Sequence, residues 1–411
     1  MTGRDILYSD MKVMMFGNQN SMWNGQTHVH CKRYLDLLHL AGCEVTFVEY
    51  PGIKPPDLPN VTNRCFPRRY RRVEKALGTR TAYYLRRRSL RSLWRSVKPD
   101  ICHVHWIDDQ LWHTARAGLR PLVATAWGSD LNSIAKASAD NPFRHKISAA
   151  LRLIDHLIID SEDMAATAEQ LAGKKLSATL LPIGINTEKF RPGLYQQRKE
   201  WRERLRIELN AIVLISVRQM GENYRPADII KAFAALDNVH FRKIYLIMRT
   251  FGHKSGVSLN ELHGLADRLN VSNRISWVDK IEYCELPGLY AASDLAVNFP
   301  VMDAFPVTFL ECFASGLPII SNRLISYESS GVSRYLLFVE ADSVGGLKAA
   351  IEAAIARLDQ FDRLTAEARE HVARNFDESV TAGVLKHTYE VVLSRAACLP
   401  KFDAVGAAST K

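Results

Sequence analysis

The chain has 411 residues, 47% of them apolar and 24% charged, which excludes a disordered or fibrous polymer and leaves room for two cores of about 200 residues each. Its net charge of +10 is local: Arg64 to Lys98 holds thirteen Lys or Arg and one acid, a sum of +12, so the remainder carries about −2. No apolar run reaches the ~20 residues of a membrane-spanning helix, the opening MTGRDILYSD lacks the apolar stretch of a signal peptide, and the seven scattered cysteines hold no CxxC pair, so reduced thiols in the cytoplasm are expected.

The first predicted element is a strand over 12–17, followed by a polar loop over 18–26. A helix is expected over 27–41 from the spacing of Val29, Tyr34, Leu37, Leu38 and Leu40, and then a strand over 44–49. After the proline-rich 51–59 comes the basic segment. There Leu90, Leu93, Trp94 and Val97 fall on one helical face, and Arg87, Arg91, Arg95 and Lys98 fall together elsewhere. This helix reads either as an ordinary amphipathic helix with a solvated basic face or as a dock for anionic lipid headgroups. No nucleic-acid recognition module accompanies the charge, so nucleic acid is not an expected partner.

PDICHVHW (99–106) is strand-like and carries His103 and His105 on one side. With no third ligand in view, buried or hydrogen-bonded histidines are expected there and no metal. Leu122 to Ala126 is another strand, running into Trp127-Gly128-Ser129-Asp130. His156 to Asp160 is a further strand, and Ser161 is placed to cap the helix that follows. Ala211 to Val217, Ile244 to Arg249 and Ile275 to Val278 are apolar strands, with Arg218 at the end of the first and a helix from Asp228 after it. Helices are expected over 344–358, 364–375 and 379–397, with a loose tail over 398–411.

The chemistry concentrates in VNFPVMDAFPVTFLECFASGLPIISN (297–322). An apolar strand over 294–299 runs into a turn over 300–306, a helix over 307–314 and a strand over 317–321, a parallel α/β unit. Asp303 thus stands in a loop at the carboxyl end of a strand, where open α/β sheets bind ligands, and Glu311 stands on the next helix. Read alone, the two acids could both be solvated.

Read with Arg218 and the FASGLPII run, the stretch resembles the acid–x7–acid signature of the retaining glycosyltransferases of family 4, which usually have glutamate where this chain has Asp303. The resemblance implies a GT-B fold: two Rossmann-like domains facing each other across a cleft, with a C-terminal helix crossing back to the first. It divides the chain into an acceptor-binding domain (1–192), a nucleotide-sugar-binding domain (193–378), a crossover helix (379–397) and a tail (398–411). It implies metal-independent transfer of a sugar from a nucleoside diphosphate sugar, UDP-linked in the first instance, to an acceptor hydroxyl with retention, and no cofactor. Arg218 and Arg225 would steady the leaving diphosphate, with Arg225 standing where the family has lysine, in a loop two residues longer than usual. Asp303 and the N–H groups of Ala304, Phe305 and Val307 would bind the donor sugar, and Glu311 the ribose. Gly25 would let the first loop approach the diphosphate. Trp127 stands beside Gly128 where the family places a histidine near the sugar, which puts His28, His105 and Asp130 in the sugar or acceptor vicinity. The acceptor could be lipid-linked, with the basic segment on the inner face of a membrane. A sugar-nucleotide epimerase or hydrolase, or a non-catalytic sugar-nucleotide binder, would use the same donor groups.

Overall fold

The computed structural model describes residues 11–17, 27–49, 57–65, 70–236, 243–250, 258–303, 305–328 and 331–398. The chain divides into two compact units, one formed by 1–181 with 381–411 and the other by 182–380.

In the first unit seven strands are β1 (Lys12–Phe16), β2 (Glu44–Glu49), β3 (Val61–Cys65), β4 (Ile101–His105), β5 (Leu122–Thr125), β6 (His156–Ile159) and β7 (Ala178–Leu180). They form one sheet in the order β3-β2-β1-β4-β5-β6-β7, with every pairing parallel. The strands β4, β5 and β6 are buried at every residue, so even their polar members His103, His105, Thr125 and His156 lie inside. β3 is the exception. Its VTNRC is exposed at the sheet edge, and this polar strand has no counterpart in the expected elements.

The helix Tyr70–Val97 is far longer than the expected one and carries a break at Gly78, whose φ of 81° suits a residue without Cβ. The long C-terminal helix Glu378–Cys398 packs into this unit. Tyr389 Oη lies 2.6 Å from His103 Nδ1, and Arg395 donates to Ser177 Oγ at 2.7 Å.

The second unit has β8 (Ile212–Ser216), β9 (Ile244–Arg249), β10 (Ile275–Val278), β11 (Leu295–Asn298), β12 (Ile319–Ser321) and β13 (Leu336–Phe338). They lie in the order β10-β9-β8-β11-β12-β13, again all parallel. Residues 182–192 belong to this unit. Ile185 and Phe190 join its core, and Thr187 Oγ1 donates to Asp377 at 2.6 Å.

Each sheet reverses its strand order once, between β1 and β4 in the first and between β8 and β11 in the second. At such a point the two following loops part company, and the crevice left outside the carboxyl ends is where α/β sheets take ligands. The Arg218 loop leaves β8 and the Asp303 loop leaves its neighbour β11, so topology alone brings the two residues together.

Candidate active site

Arg218 is the second residue past β8. Its Nη2 donates to Asp303 Oδ1 at 2.9 Å and to Tyr224 Oη at 3.0 Å, and its Nη1 to Thr308 Oγ1 at 3.2 Å. The guanidinium also lies over the Tyr224 ring, 4.5 Å from its centroid. Both partners are sheltered, the Arg218 side chain 13% and the Asp303 side chain 10% exposed. Burial pulls the Arg218 guanidinium down, but the charge of Asp303 and the Tyr224 and Tyr327 phenols outweigh it and the net shift is upward.

Asp303 is fixed from its other side as well. Tyr327 Oη donates to its Oδ2 at 3.0 Å, and Ser326 Oγ to its backbone carbonyl at 2.8 Å. Tyr327 in turn accepts from Asn298 Nδ2 at 3.0 Å, and Asn298 is fully buried at the end of β11. Burial and the Asp303 charge push the Tyr327 phenol up, so it stays a donor.

Arg225 is held elsewhere. It occupies the left-handed region (φ 50°, ψ 48°) at the start of the helix Pro226–Ala234, pairs with Asp228 at 3.0 Å and with Asp342, and lies 4.1 Å over the Phe299 ring. The helix Val307–Ala314 starts at Pro306 with no side-chain cap, so its first N–H groups, Val307 included, mark an open helix start. Phe305 has its side chain in the core. Glu311, 4% exposed, accepts from Tyr290 Oη at 2.8 Å. Gly25 and Ala304 lie outside the described residues.

In the first unit the expected residues meet around β4 and β5. His28 caps the helix Val29–Leu40, with its Nδ1 accepting from His30 N at 3.3 Å, and meets Trp106 edge-on at 4.7 Å. Trp127 stacks on His30 at 4.2 Å and lies 5.9 Å from His105. Trp106 has φ 73°, a conformation that costs a bulky residue free energy, and Gly128 has φ 83°. Asp130 is spent on the backbone: it accepts from Ile107, Trp127 and Leu131 N–H, so it ties the β4 loop to the β5 loop. Burial lowers His105 and His30, which are therefore neutral imidazoles. Among the described residues, no group of three His, Cys, Asp or Glu is placed to hold a metal ion.

Two expectations need correction. Arg87 does not belong to a solvated cationic face: it is half-buried, whereas Arg91 on the same helix is exposed. Arg87 lies 4.5 Å over the Trp112 ring, and Arg91 Nε donates to the Ala117 carbonyl at 2.9 Å, because both point toward the helix Asp109–Ala117. Ser161 stands at a helix start, but its hydroxyl makes no capping bond.

The structure also adds partners that the sequence did not single out. Tyr224 precedes Arg225 and accepts from Arg218, Tyr290 sits in the apolar LPGLYA and Tyr327 in the polar LISYESS, and none carries a motif of its own. Gly17, just past β1, is a further addition. A Cβ there would come within 2.6 Å of the buried Glu49 carboxylate, so any larger residue would have to push that acid aside.

The family description "Glycosyl transferases group 1" matches residues 197–371, and "Glycosyl transferase 4-like" matches 22–161. A D-inositol 3-phosphate glycosyltransferase from Geodermatophilus obscurus is 27% identical over 306 residues, 70% of this chain and 66% of the relative. An alpha-monoglucosyldiacylglycerol synthase from Streptococcus pneumoniae is 28% identical over 215 residues, 50% of this chain and 46% of the relative. The matches to the first three curated relatives span 40%, 66% and 57% of those proteins' own lengths. In fold, the chain is similar to Anabaena Alr3699/HepE, solved in complex with UDP-glucose. The TM-score is 0.69 at 14% identity, covering 93% of this chain and 100% of the other.

Proposed function

The chain belongs to the group 1, family 4-like glycosyl transferases, retaining enzymes of the GT-B fold, and on that premise we propose that it moves a hexosyl group from a UDP-sugar to an acceptor hydroxyl with retention of configuration. The observation that carries this reading is the sheltered Arg218–Asp303 pair beside the open start of Val307–Ala314, at the strand-order reversal of the second sheet. As the glycosidic bond breaks, its electron pair stays with the diphosphate. Arg218 and the helix N–H groups stabilise that growing charge, with Arg225 a second cation on the same edge. Asp303 takes donor-sugar hydroxyls and Glu311 the ribose hydroxyls. The second unit thus holds the donor. In the first unit Trp127, Gly128, His28 and His105 are the acceptor-side candidates, with Asp130 shaping their loops.

UDP is the nucleotide of choice because the fold neighbour was solved with UDP-glucose. A lipid acceptor at the inner face of a membrane is supported by the name of the S. pneumoniae relative and by the basic helix of the first unit. A panel of nucleotide sugars, screened by thermal unfolding, tests the donor assignment. UDP-hexoses should raise the midpoint as ligand binding to the native state requires, and turnover should persist in excess chelator. No stabilisation by any nucleotide sugar would contradict the reading.

A further inference from the structure

Glu311 lies between Leu310 and Cys312, both fully buried, in a helix that is apolar apart from Thr308. A carboxylate in such surroundings needs a donor to hold it. One such donor is Tyr290 on the helix Leu286–Ala291, whose Oη stands 2.8 Å from Glu311 Oε2. Tyr290 is itself 1% exposed, with its ring 6.0 Å from that of Phe190. Burial first, and then the Glu311 charge, push its phenol well up. Arg249, buried at the end of β9, is near enough to pull the other way without reversing the shift. The phenol therefore stays a proton donor throughout the neutral range, and its single O–H points at the carboxylate.

Resting on the donor reading above, we propose that Tyr290 is a positioning residue for nucleotide recognition: its O–H fixes the plane of the Glu311 carboxylate so that both ribose hydroxyls can be accepted at once. The terminal torsion of a glutamate is broad and roughly two-fold, so an unanchored carboxylate samples many planes. Reading two neighbouring hydroxyls needs one plane, set before the ligand arrives. Had Tyr290 only a packing role, a phenylalanine in its place would serve equally well, because the ring is what packs.

The test is Tyr290→Phe, with the thermal midpoint confirming that the variant folds, and calorimetry with UDP and 2′-deoxy-UDP. The parent is expected to prefer UDP. The variant should lose about tenfold in UDP affinity and much less in 2′-deoxy-UDP affinity, so that the preference shrinks, while kcat at saturating donor stays within about twofold. An unchanged preference, or equal loss for both nucleotides, overturns the positioning role and leaves the donor reading intact. A parent that binds neither nucleotide overturns both.

Discussion

His103 lies mid-strand in β4, fully buried, and its ring is satisfied by two neutral partners, Tyr389 Oη and Thr125 Oγ1, each at 2.6 Å. Burial, helped by the nearby His156, lowers its pKa to about 3, and His156 itself is lowered to about 4. The sign is therefore fixed. Between the ordinary histidine value of 6.5 and about 3 the unfolded chain binds a proton that the folded chain refuses, so stability falls as the pH is lowered through that window. By pH 4 the His103 contribution is a loss of about 3 kcal/mol. Urea denaturation of the parent at pH 7 and pH 4 should show the drop, and His103→Gln should show a smaller acid-dependent drop from a lower starting point. Identical slopes would mean that His103 is not the group that titrates. The pair His103 and His105 was legible as buried strand histidines, because alternate residues of a strand share a face. Arg202 was not legible at all. WRERLR reads as a charged surface turn, yet Arg202 is fully buried and donates to the carbonyls of Ala292, Glu208, Leu209 and Ala211 and to Asp294. A side chain that serves distant carbonyls leaves no pattern in its own neighbourhood.

The basic helix Tyr70–Val97 shows what periodicity reveals and what it hides. The apolar face is where the spacing put it, with Leu90 buried and Leu93, Trp94 and Val97 half-buried. Spacing does not show which neighbour lies on the other side: Arg87 is half-buried against Trp112, while Arg91 stays exposed although its Nε donates to the Ala117 carbonyl. Among the described side chains the exposed cations from Lys75 on are Lys75, Arg80, Arg88, Arg91, Arg95 and Lys98, and beside them Leu77 and Tyr84 are 64% and 60% exposed. Apolar side chains among cations suit an anionic bilayer, where each Lys or Arg contributes about 1 kcal/mol and the apolar groups insert at the headgroup boundary. Co-sedimentation with phosphatidylserine vesicles is expected to fall by at least tenfold on replacing Arg80, Arg88, Arg95 and Lys98 with glutamine. It should also weaken with salt in the parent. Equal binding by both proteins, or none by either, would count against a membrane-facing helix.

At the level of the whole molecule, thirteen parallel strands in two sheets follow from short apolar runs separated by helical spacing, and most of these were readable in order along the chain. The polar edge strand β3 and the three-residue strands β7 and β13 were not, since β3 and β7 bury no continuous face and β13 is only a short LLF after a Ser- and Gly-rich stretch. Of the proposed site, the sequence singled out Arg218 and Asp303 by their place at strand ends and Glu311 by its spacing from Asp303 in the family resemblance. It could not supply Tyr327 and Tyr290, whose hydroxyls matter only because the fold carries them to those carboxylates. These phenols divide the acid pair into two separately anchored groups, Asp303 on Arg218 and Glu311 on Tyr290. The central claim, that one acid serves the sugar and the other the nucleoside, is tested most directly by titrating UDP into Asp303→Asn and Glu311→Ala by calorimetry, beside turnover of the full donor. Glu311→Ala should lose tenfold to a hundredfold in UDP affinity, the worth of a charge-assisted hydrogen bond of about 1.5–3 kcal/mol. Asp303→Asn removes a negative charge from Arg218 while keeping its shape, so UDP affinity should hold or rise while turnover falls at least tenfold. Equal loss of UDP affinity in both variants, or unchanged turnover in both, would contradict the account.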